Sequence, residues 1–268
     1  MSRDMGNIRN IFDSHCHYAD HAFDEDREQL LAELPGKGVE LAALISCTLR
    51  DTAINSAMSQ QYDWLYTTVG IHPEYASQVG DDYLDILRKT ALDNPKVRAV
   101  GEIGLDYHYP GYDKERQIQV FREQIGLAKE LGLPVVIHSR DAAKDTLDMV
   151  ISEQARDAGG VVHCFSYEKE MAGRYLDLGF YIGIGGVVTF KNSRKLKEVA
   201  AYMPMDRMLL ETDCPYLAPS PFRGQRNDST MLTYVVDALS QIRGIPKEEM
   251  IRITAENAAR MYRIDKME

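Results

Sequence analysis

Two histidines stand two residues apart at the end of the first strand-like run of the sequence. His15 and His17 belong to the segment Asp13-Ser14-His15-Cys16-His17. Because side chains alternate across a strand, both imidazoles would face the same side, about 6–7 Å apart along the chain. Two such nitrogens can hold one cation, although the pair by itself also fits two surface histidines at a strand end.

Other ligand-type residues follow later strand-like runs in the same way. The fourth, fifth, sixth and eighth runs end with Glu102, His138, His163 and Asp213, and the third is followed by His72. Taken singly, a histidine after a strand is usually structural, and an aspartate there often caps a helix. Taken together they predict one shared site, because the carboxyl ends of the strands of a parallel barrel meet at one rim.

The donor types indicate the chemistry. Four histidines and two carboxylates suit a pair of divalent cations such as Zn²⁺, Mn²⁺ or Mg²⁺. Glu102 can offer one oxygen to each ion. A metal-bound water has a lowered pKa, and paired ions stabilise a phosphoryl oxygen. Asp213 would take or hold the proton of that water, so Glu102 and Asp213 are the predicted catalytic residues of a hydrolase.

The elements that must position these residues alternate along the chain. Eight β-branched, apolar runs predict strands at Ile11–Ser14, Leu41–Cys47, Leu65–Gly70, Val97–Gly101, Pro134–Ile137, Gly160–His163, Phe180–Ile184 and Met208–Glu211. Amphipathic segments predict helices at Asp24–Leu34, Asp81–Asp93, Lys114–Leu131, Ala142–Glu153, Lys169–Leu178, Arg194–Met203, Thr230–Ile242 and Lys247–Met261. Strict alternation favours a parallel sheet. An open doubly wound sheet also fits, but the count of eight favours an α/β fold of the (β/α)₈ TIM-barrel type.

The length and net charge of the chain exclude several classes of protein. The 268 residues are near the size of one barrel, so a single domain over residues 1–268 is predicted. The net charge of −10 is not typical of a protein that coats nucleic acid. No apolar run reaches the roughly 20 residues of a membrane helix, and the four cysteines form no C-x-x-C pair. We expect a cytoplasmic protein with no membrane contact and no obligate protein partner.

Seven ordered blocks spread over nearly the whole chain carry a family resemblance. They are FDSHCH at residues 12–17, VGIHP at 69–73, GEIGLDY at 101–107, LPVVIHSR at 133–140, HCFS at 163–166, GGVVTFK at 185–191 and LETDCPYL at 210–217. In these blocks the chain resembles the TatD-type metal-dependent hydrolases, which belong to the amidohydrolase-like barrel proteins. The resemblance implies a (β/α)₈ barrel and a site for two divalent metal ions.

The same resemblance implies residue roles and an activity. One ion would be held by His15, His17, Glu102 and Asp213, and the second by Glu102, His138 and His163. The implied activity is a nuclease that trims DNA from its 3′ end. Some relatives act on RNA or on aminoacyl-tRNA esters, so a D-aminoacyl-tRNA deacylase is the alternative. A barrel retained as a scaffold is a third possibility, but a scaffold would not need six convergent ligands.

Several further residues are predicted to bind substrate. They are His72, Asp106, Arg140, Lys191 and Arg223, all placed after strands and so on the active rim. Asp106 could instead orient a histidine ligand or cap a loop, and any single cation could be a solvated surface charge. Tyr107, Tyr109 and Tyr167 are candidates for stacking on bases.

Two expectations concern the surroundings of the site. Strand alternation predicts that the thiols of Cys16, Cys164 and Cys214 point away from the ligands, toward the helices. The chain also departs from the resembling family at Asn227-Asp228-Ser229, where a proline is missing. We expect this departure to affect substrate preference rather than metal binding.

Overall fold

A computed structural model describes residues 9–264. Its centre is one sheet of eight parallel strands in the order of the sequence. The strands are β1 (Ile11–Cys16), β2 (Val39–Leu44), β3 (Leu65–Val69), β4 (Val97–Asp106), β5 (Val135–Arg140), β6 (Gly160–Val162), β7 (Tyr181–Ile184) and β8 (Met208–Leu210). All eight predicted strands are present, with small differences at their ends.

The first and last strands meet and nearly close the sheet. Cys16 and Cys214 form a parallel bridge. The amide of His17 donates to the carbonyl of Cys214 at 2.9 Å, and the amide of Asp213 donates to the carbonyl of His15 at 2.9 Å. The barrel prediction is therefore confirmed, and closure places the residues after β8 beside those of β1.

Nine helices surround the barrel in the described part of the chain. They are α1 (Arg27–Glu33), α2 (Leu49–Gln61), α3 (Tyr83–Asp93), α4 (Lys114–Leu131), α5 (Ala143–Ser152), α6 (Lys169–Asp177), α7 (Arg194–Tyr202), α8 (Leu232–Arg243) and α9 (Lys247–Met261). Gly132 ends α4 in the left-handed conformation, with φ of 64°, which a residue without a Cβ adopts at little cost. None of these helices is long and apolar enough to cross a membrane.

Two apolar layers hold the barrel together. The larger one lies between the strands and the surrounding helices. The other joins Phe12, Val136 and Val161, all near strand beginnings, to Ala258 and Tyr262 at the end of α9. The Tyr262 hydroxyl donates to the carbonyl of Ser14 at 2.7 Å. The C-terminal segment thereby fills the amino-terminal end of the barrel and leaves the carboxyl end for the site.

The fourth strand is longer than predicted. Glu102 lies within β4 rather than at its end, because the strand continues to Asp106. The register of β4 against β5 shifts between Val100 and Ile103, and the Glu102 amide turns to the carbonyl of Ser46 at 2.8 Å. This irregularity lets one strand contribute two carboxylates, Glu102 and Asp106, to the same end of the barrel.

The helix α2 was missed by the sequence patterns because the face that it buries is polar. Its buried residues are Thr52, Asn55, Met58 and Ser59. The Asn55 amide donates to the carbonyl of Ile45 and to the Ser46 hydroxyl, each at 3.1 Å. Hydrogen bonds, together with the apolar contacts of Met58 and Ile54, thus hold this helix against the strands, and the hydrophobic periodicity is too weak to predict it. Whether residues 1–268 form one domain stays a prediction, since the chain ends lie outside the described residues.

The Asn55 contacts give a test of the fold. Asn55→Ala should lower the free energy of unfolding by about 1–3 kcal/mol, because a buried carbonyl and hydroxyl lose their donor. Urea unfolding followed by circular dichroism measures the change, with Asn192→Ala at an exposed position as the control. Equal stability of the two variants would contradict the proposed role of the polar face.

Candidate metal centre

The carboxyl ends of the strands surround a cavity of about 720 Å³. Its floor is formed by His17, Cys47, His72, Glu102, Asp106, His138, His163 and Asp213. Arg50, Arg140, Tyr109 and Tyr216 contribute to its walls. The predicted ligands from five different strand ends are therefore brought together, and His15 lies beneath them with a 1% exposed surface.

The first donor cluster is built by β1 and the segment after β8. His15 Nε2 and His17 Nε2 lie 3.1 Å apart. Asp213 Oδ1 lies 3.2 Å from His17 Nε2 and 3.7 Å from His15 Nε2. Asp213 has a left-handed backbone with φ of 59°, and its amide is bound to the carbonyl of His15, so the barrel closure aims its carboxylate at the two imidazoles.

The second donor cluster is built by β5 and the segment after β6. His138 Nδ1 lies 2.7 Å from Glu102 Oε1, and His163 Nε2 lies 2.6 Å from the same oxygen. The other oxygen, Oε2, faces the first cluster at 3.4 Å from His15 Nε2 and 3.8 Å from His17 Nε2. Glu102 thus stands between the clusters with one oxygen toward each.

Charge in the site favours ionised carboxylates. Burial opposes the charge on Glu102, but the charges of His163 and His72 and the hydrogen bonds of His138 and His15 hold its pKa well below the usual range. Burial likewise opposes the charge on Asp213, and the hydrogen bond to His17 outweighs it and lowers the pKa. Both carboxylates are therefore acceptors that attract positive charge into a nearly dry site.

The residues fit divalent cations. His17 Nδ1 lies 3.3 Å from the carbonyl of Ile45; a proton shared there leaves the Nε2 lone pair facing His15 Nε2. The two Nε2 atoms and the Asp213 oxygen are close enough together to share one cation. Donors around Zn²⁺ at about 2.1 Å lie about 3.4 Å apart, near the 3.1 and 3.2 Å seen in the first cluster. The donor set of imidazoles and carboxylates suits Zn²⁺ and Mn²⁺.

Asp106 supports His138 from behind. Its Oδ2 lies 3.0 Å from His138 Nε2, while its Oδ1 accepts the amide of His108 at 2.8 Å. The Gln117 side chain makes two hydrogen bonds of 2.9 Å with the backbone of Asp106: it accepts from the amide and donates to the carbonyl. Such a carboxylate fixes the ring and tautomer of a ligating histidine. Of the three roles considered for Asp106, which were binding substrate, orienting a histidine ligand and capping a loop, the geometry favours orienting His138.

His72 is placed as a hydrogen-bond donor. Its Nδ1 accepts the amide of Glu74 at 3.2 Å, so in the neutral ring the proton is on Nε2, which lies 3.6 Å from Glu102 Oε1. Burial, followed by the charge of His138, lowers the pKa of His72 to about 3. The Nε2–H group therefore faces Glu102, and a role for His72 in substrate binding stays a prediction.

Two positively charged residues that were predicted to bind substrate, Lys191 and Arg223, do not line the cavity. The guanidinium of Arg223 lies 4.4 Å from the centre of the Phe190 ring, and Lys191 is exposed; neither lines the cavity. Arg140 does line it and lies over the ring of Tyr109. A role for Lys191 and Arg223 in substrate binding stays a prediction.

The departure at residues 227–229 lies inside the protein rather than on a substrate-contacting surface. Asn227 is 1% exposed, and its amide donates to the carbonyls of Thr212 and Tyr216 at 3.0 and 2.8 Å. The Ser229 hydroxyl donates to Asp13 Oδ2 at 2.6 Å. Asn227 and Ser229 thus hold the loop that carries Asp213 in place, and an effect of the departure on substrate preference stays a prediction.

The cysteine expectation is wrong at one position. Cys16 and Cys214 are fully buried, and the Cys16 thiol contacts the carbonyl of Ala43 at 3.2 Å. Cys164, however, lines the cavity. The reason is that β6 ends at Val162 and Cys164 has a left-handed backbone with φ of 44°, so strand alternation no longer applies there.

Sequence reasoning missed other residues around the site. Cys47 Sγ lies 3.7 Å from both His17 Nδ1 and Glu102 Oε2. Glu211 is 1% exposed and accepts the amide of Cys164 at 2.5 Å, and burial raises its pKa to about 8. Arg50 and Cys47 follow β2, so a search of every strand end would have found them. Glu211 gives no separate signal beside Asp213.

An eight-stranded parallel barrel with buried histidines and carboxylates at the carboxyl ends of its strands defines a metal-dependent hydrolase. Residues 12–263 match the model of the TatD related DNase family. The chain belongs to this family.

Similar proteins agree with the assignment. The metal-dependent hydrolase YabD of Bacillus subtilis is 38% identical over 95% of this chain and 100% of its own length. YcfH of Escherichia coli is 38% identical over 95% of this chain and 96% of its own length. Both are named as uncharacterized metal-dependent hydrolases. The crystal structure of the TatD homologue YjjV from Escherichia coli is 32% identical, covers 95% of this chain and 98% of its own, and superposes with a TM-score of 0.89.

The position of Glu102 between the clusters gives a test of cation binding. Mn²⁺ or Zn²⁺ added to the metal-free protein should raise Tm, because a ligand of the native state stabilises it. Glu102→Gln should lose most of this shift, since both clusters lose a charged donor. Elemental analysis should find two ions per wild-type chain and fewer than one in the variant. Glu170→Gln, at an exposed position, should behave as wild type; an undiminished shift in Glu102→Gln would contradict the assignment.

Proposed function

We propose that this protein hydrolyses phosphodiester bonds of nucleic acid with two divalent cations, as a 3′-5′ exodeoxyribonuclease. The observation that carries the proposal is Glu102, which presents one oxygen to each of two donor clusters. His15, His17 and Asp213 would hold the first ion with Glu102 Oε2, and His138 and His163 the second with Oε1. When bound, such ions supply Lewis acidity, orient substrate and lower the pKa of water.

The residues of the chain divide the remaining tasks. The Asp213 side chain is 16% exposed, so one edge of its carboxylate is open to the cavity and can accept the proton of the attacking water. His72 donates from Nε2 to a non-bridging phosphate oxygen. Arg140, on the cavity wall, can bind the next phosphate through two parallel hydrogen bonds.

The shape and charge of the cavity support action at a strand end. A cavity of about 720 Å³ has the size of a small-molecule site, which takes a terminal nucleotide more readily than the middle of a duplex. Its described walls carry two arginines, Arg50 and Arg140, beside the carboxylates of Asp20, Asp51 and Glu74. Arg50 is paired with Asp51 at 3.3 Å, so Arg140 is the arginine that the proposal assigns to phosphate in a protein of net charge −10. The family name supports DNA as substrate, and 3′ polarity rests on the resemblance to TatD-type enzymes.

The direct test is hydrolysis of single strands labelled at the 3′ or the 5′ end, in protein loaded with Mg²⁺ or Mn²⁺. We expect mononucleotides to be released from the 3′ end and a chelator to stop the reaction. Absence of cleavage by protein shown to hold two metals would reject the nuclease. D-aminoacyl-tRNA would then be the substrate to assay.

Asp213 should be required for turnover but not for the fold. Asp213→Asn should lower kcat by about 10²–10⁴-fold, the usual contribution of a general base, with an unchanged circular dichroism spectrum. Asp206→Asn, at an exposed position before β8, is the matched control and should keep wild-type kcat. Wild-type turnover in Asp213→Asn would remove that residue from the chemistry.

Arg140 should account for part of the salt dependence of binding. Arg140→Ala should raise the Kd for a single strand and make the slope of log K against log salt shallower by about 0.7, the value for one phosphate contact. Fluorescence anisotropy measures both. Arg252→Ala, at an exposed position on α9, is the control and should keep the wild-type Kd and slope. An unchanged slope in Arg140→Ala would contradict the phosphate contact.

A further inference from the structure

A second cavity opens beside the first. It has a volume of about 460 Å³ and shares Glu74, Asp106 and Tyr109 with the main cavity. Its remaining walls come from Pro73 and Gln117 and from the segment 110–113 before α4. Because Asp106 also contacts His138, the second cavity adjoins the candidate metal centre directly. A group attached to a phosphate in the main cavity can therefore lie in the second one.

The second cavity presents aromatic surface that is already held in place. Tyr109 is 53% exposed and Tyr112 is 42% exposed. Tyr112 stacks on Tyr107 with ring centres 4.7 Å apart and planes 12° from parallel. The guanidinium of Arg140 lies 5.2 Å from the centre of the Tyr109 ring. Exposed rings held by such contacts lose little conformational freedom when a flat ligand stacks on them.

The charge of this cavity differs from that of a phosphate site. Its walls include the carboxylates of Glu74, Asp106 and Asp113, and no lysine or arginine is among its described lining residues. Carboxylates repel a phosphate but accept hydrogen bonds from N–H groups. An aromatic, acidic cavity next to a phosphodiester site therefore suits an uncharged ring that carries amino groups.

Glu74 is the acceptor with spare capacity. Asp106 already accepts from His138 and His108, and Asp113 accepts the amide of Arg116. By contrast, the Glu74 carboxylate makes no hydrogen bond or ion pair with any residue in the range 9–264. It lies where the two cavities meet. Glu74 is exposed, so its carboxylate is free to exchange water for a hydrogen bond from a ring in the second cavity.

We propose that the second cavity binds the nucleobase next to the scissile linkage and prefers bases with an exocyclic amino group. Tyr109 and Tyr112 supply the stacking surface, and Glu74 accepts the amino hydrogen. Adenine and cytosine carry a donor on this edge, whereas thymine carries the O4 acceptor and a methyl group. A carboxylate therefore discriminates against thymine by repulsion as well as by loss of a hydrogen bond. This inference rests on the proposed nuclease function.

The test compares oligothymidylate strands that differ only in whether the base at the cleaved end is adenine or thymine. Wild-type protein should have a kcat/KM about tenfold higher for the adenine end, the expected range for one discriminated base. Glu74→Gln should bring the ratio toward one, because the amide can donate to thymine O4. Tyr112→Ala should raise KM for both ends about tenfold, as loss of one stacking contact does.

Matched controls separate the subsite from general damage. Glu170→Gln and Tyr202→Ala, both on exposed helix faces, should keep the wild-type ratio and KM. A wild-type ratio near one, or an unchanged ratio in Glu74→Gln, would overturn the proposal while leaving the nuclease activity intact.

Failure of the proposed function itself has a different outcome. If neither strand is hydrolysed, binding of adenosine and thymidine to the wild-type protein is measured by saturation-transfer NMR. Stronger binding of adenosine that is lost in Tyr112→Ala would support the subsite without the nuclease. Equal binding of both nucleosides, or none, would overturn it.

Discussion

The burial of Glu102 is the constraint on which the rest of the structure depends. A carboxylate that is 2% exposed is unstable unless positive charge or hydrogen bonds compensate for the lost water. Here compensation comes from imidazoles on both sides, with His15 facing one oxygen and His138 and His163 facing the other. The imidazoles that stabilise the buried carboxylate of Glu102 also form, with its two oxygens, two candidate sites for a cation.

A barrel is suited to this task because the imidazoles come from the ends of three different strands, β1, β5 and β6. Closure between β1 and β8 brings Asp213 to His15 and His17, although they are almost two hundred residues apart in the chain. The polar face of α2 contacts the site indirectly, because Asn55 and the site residue His17 both contact the carbonyl of Ile45. Structural polar contacts and the candidate site are therefore one connected network.

Electrostatics divides the rim into regions of different character. The candidate metal centre presents imidazoles and carboxylates, the wall beside it carries Arg140, and the second cavity beyond Tyr109 is acidic and aromatic. Under the proposed function, this division accounts for how a protein of net charge −10 acts on a polyanion. Attraction is confined to one place, and the neighbouring surface selects for uncharged groups.

The sequence by itself determined the strand positions, most helix bounds and the donor types, because these depend on local periodicity and on residue chemistry, whereas the order of the strands in the sheet came from the structure. α4 and α9 have the predicted limits, and every proposed ligand except Glu102, which lies within β4, is near a strand end. Tertiary structure alone decided that Glu102 lies between the two clusters, that Asp106 supports His138, and that Arg140 reaches the cavity while Lys191 and Arg223 do not. The register shift in β4, the end of β6 before Cys164 and the folding of the rim loops are set by packing between distant segments, which local patterns do not encode.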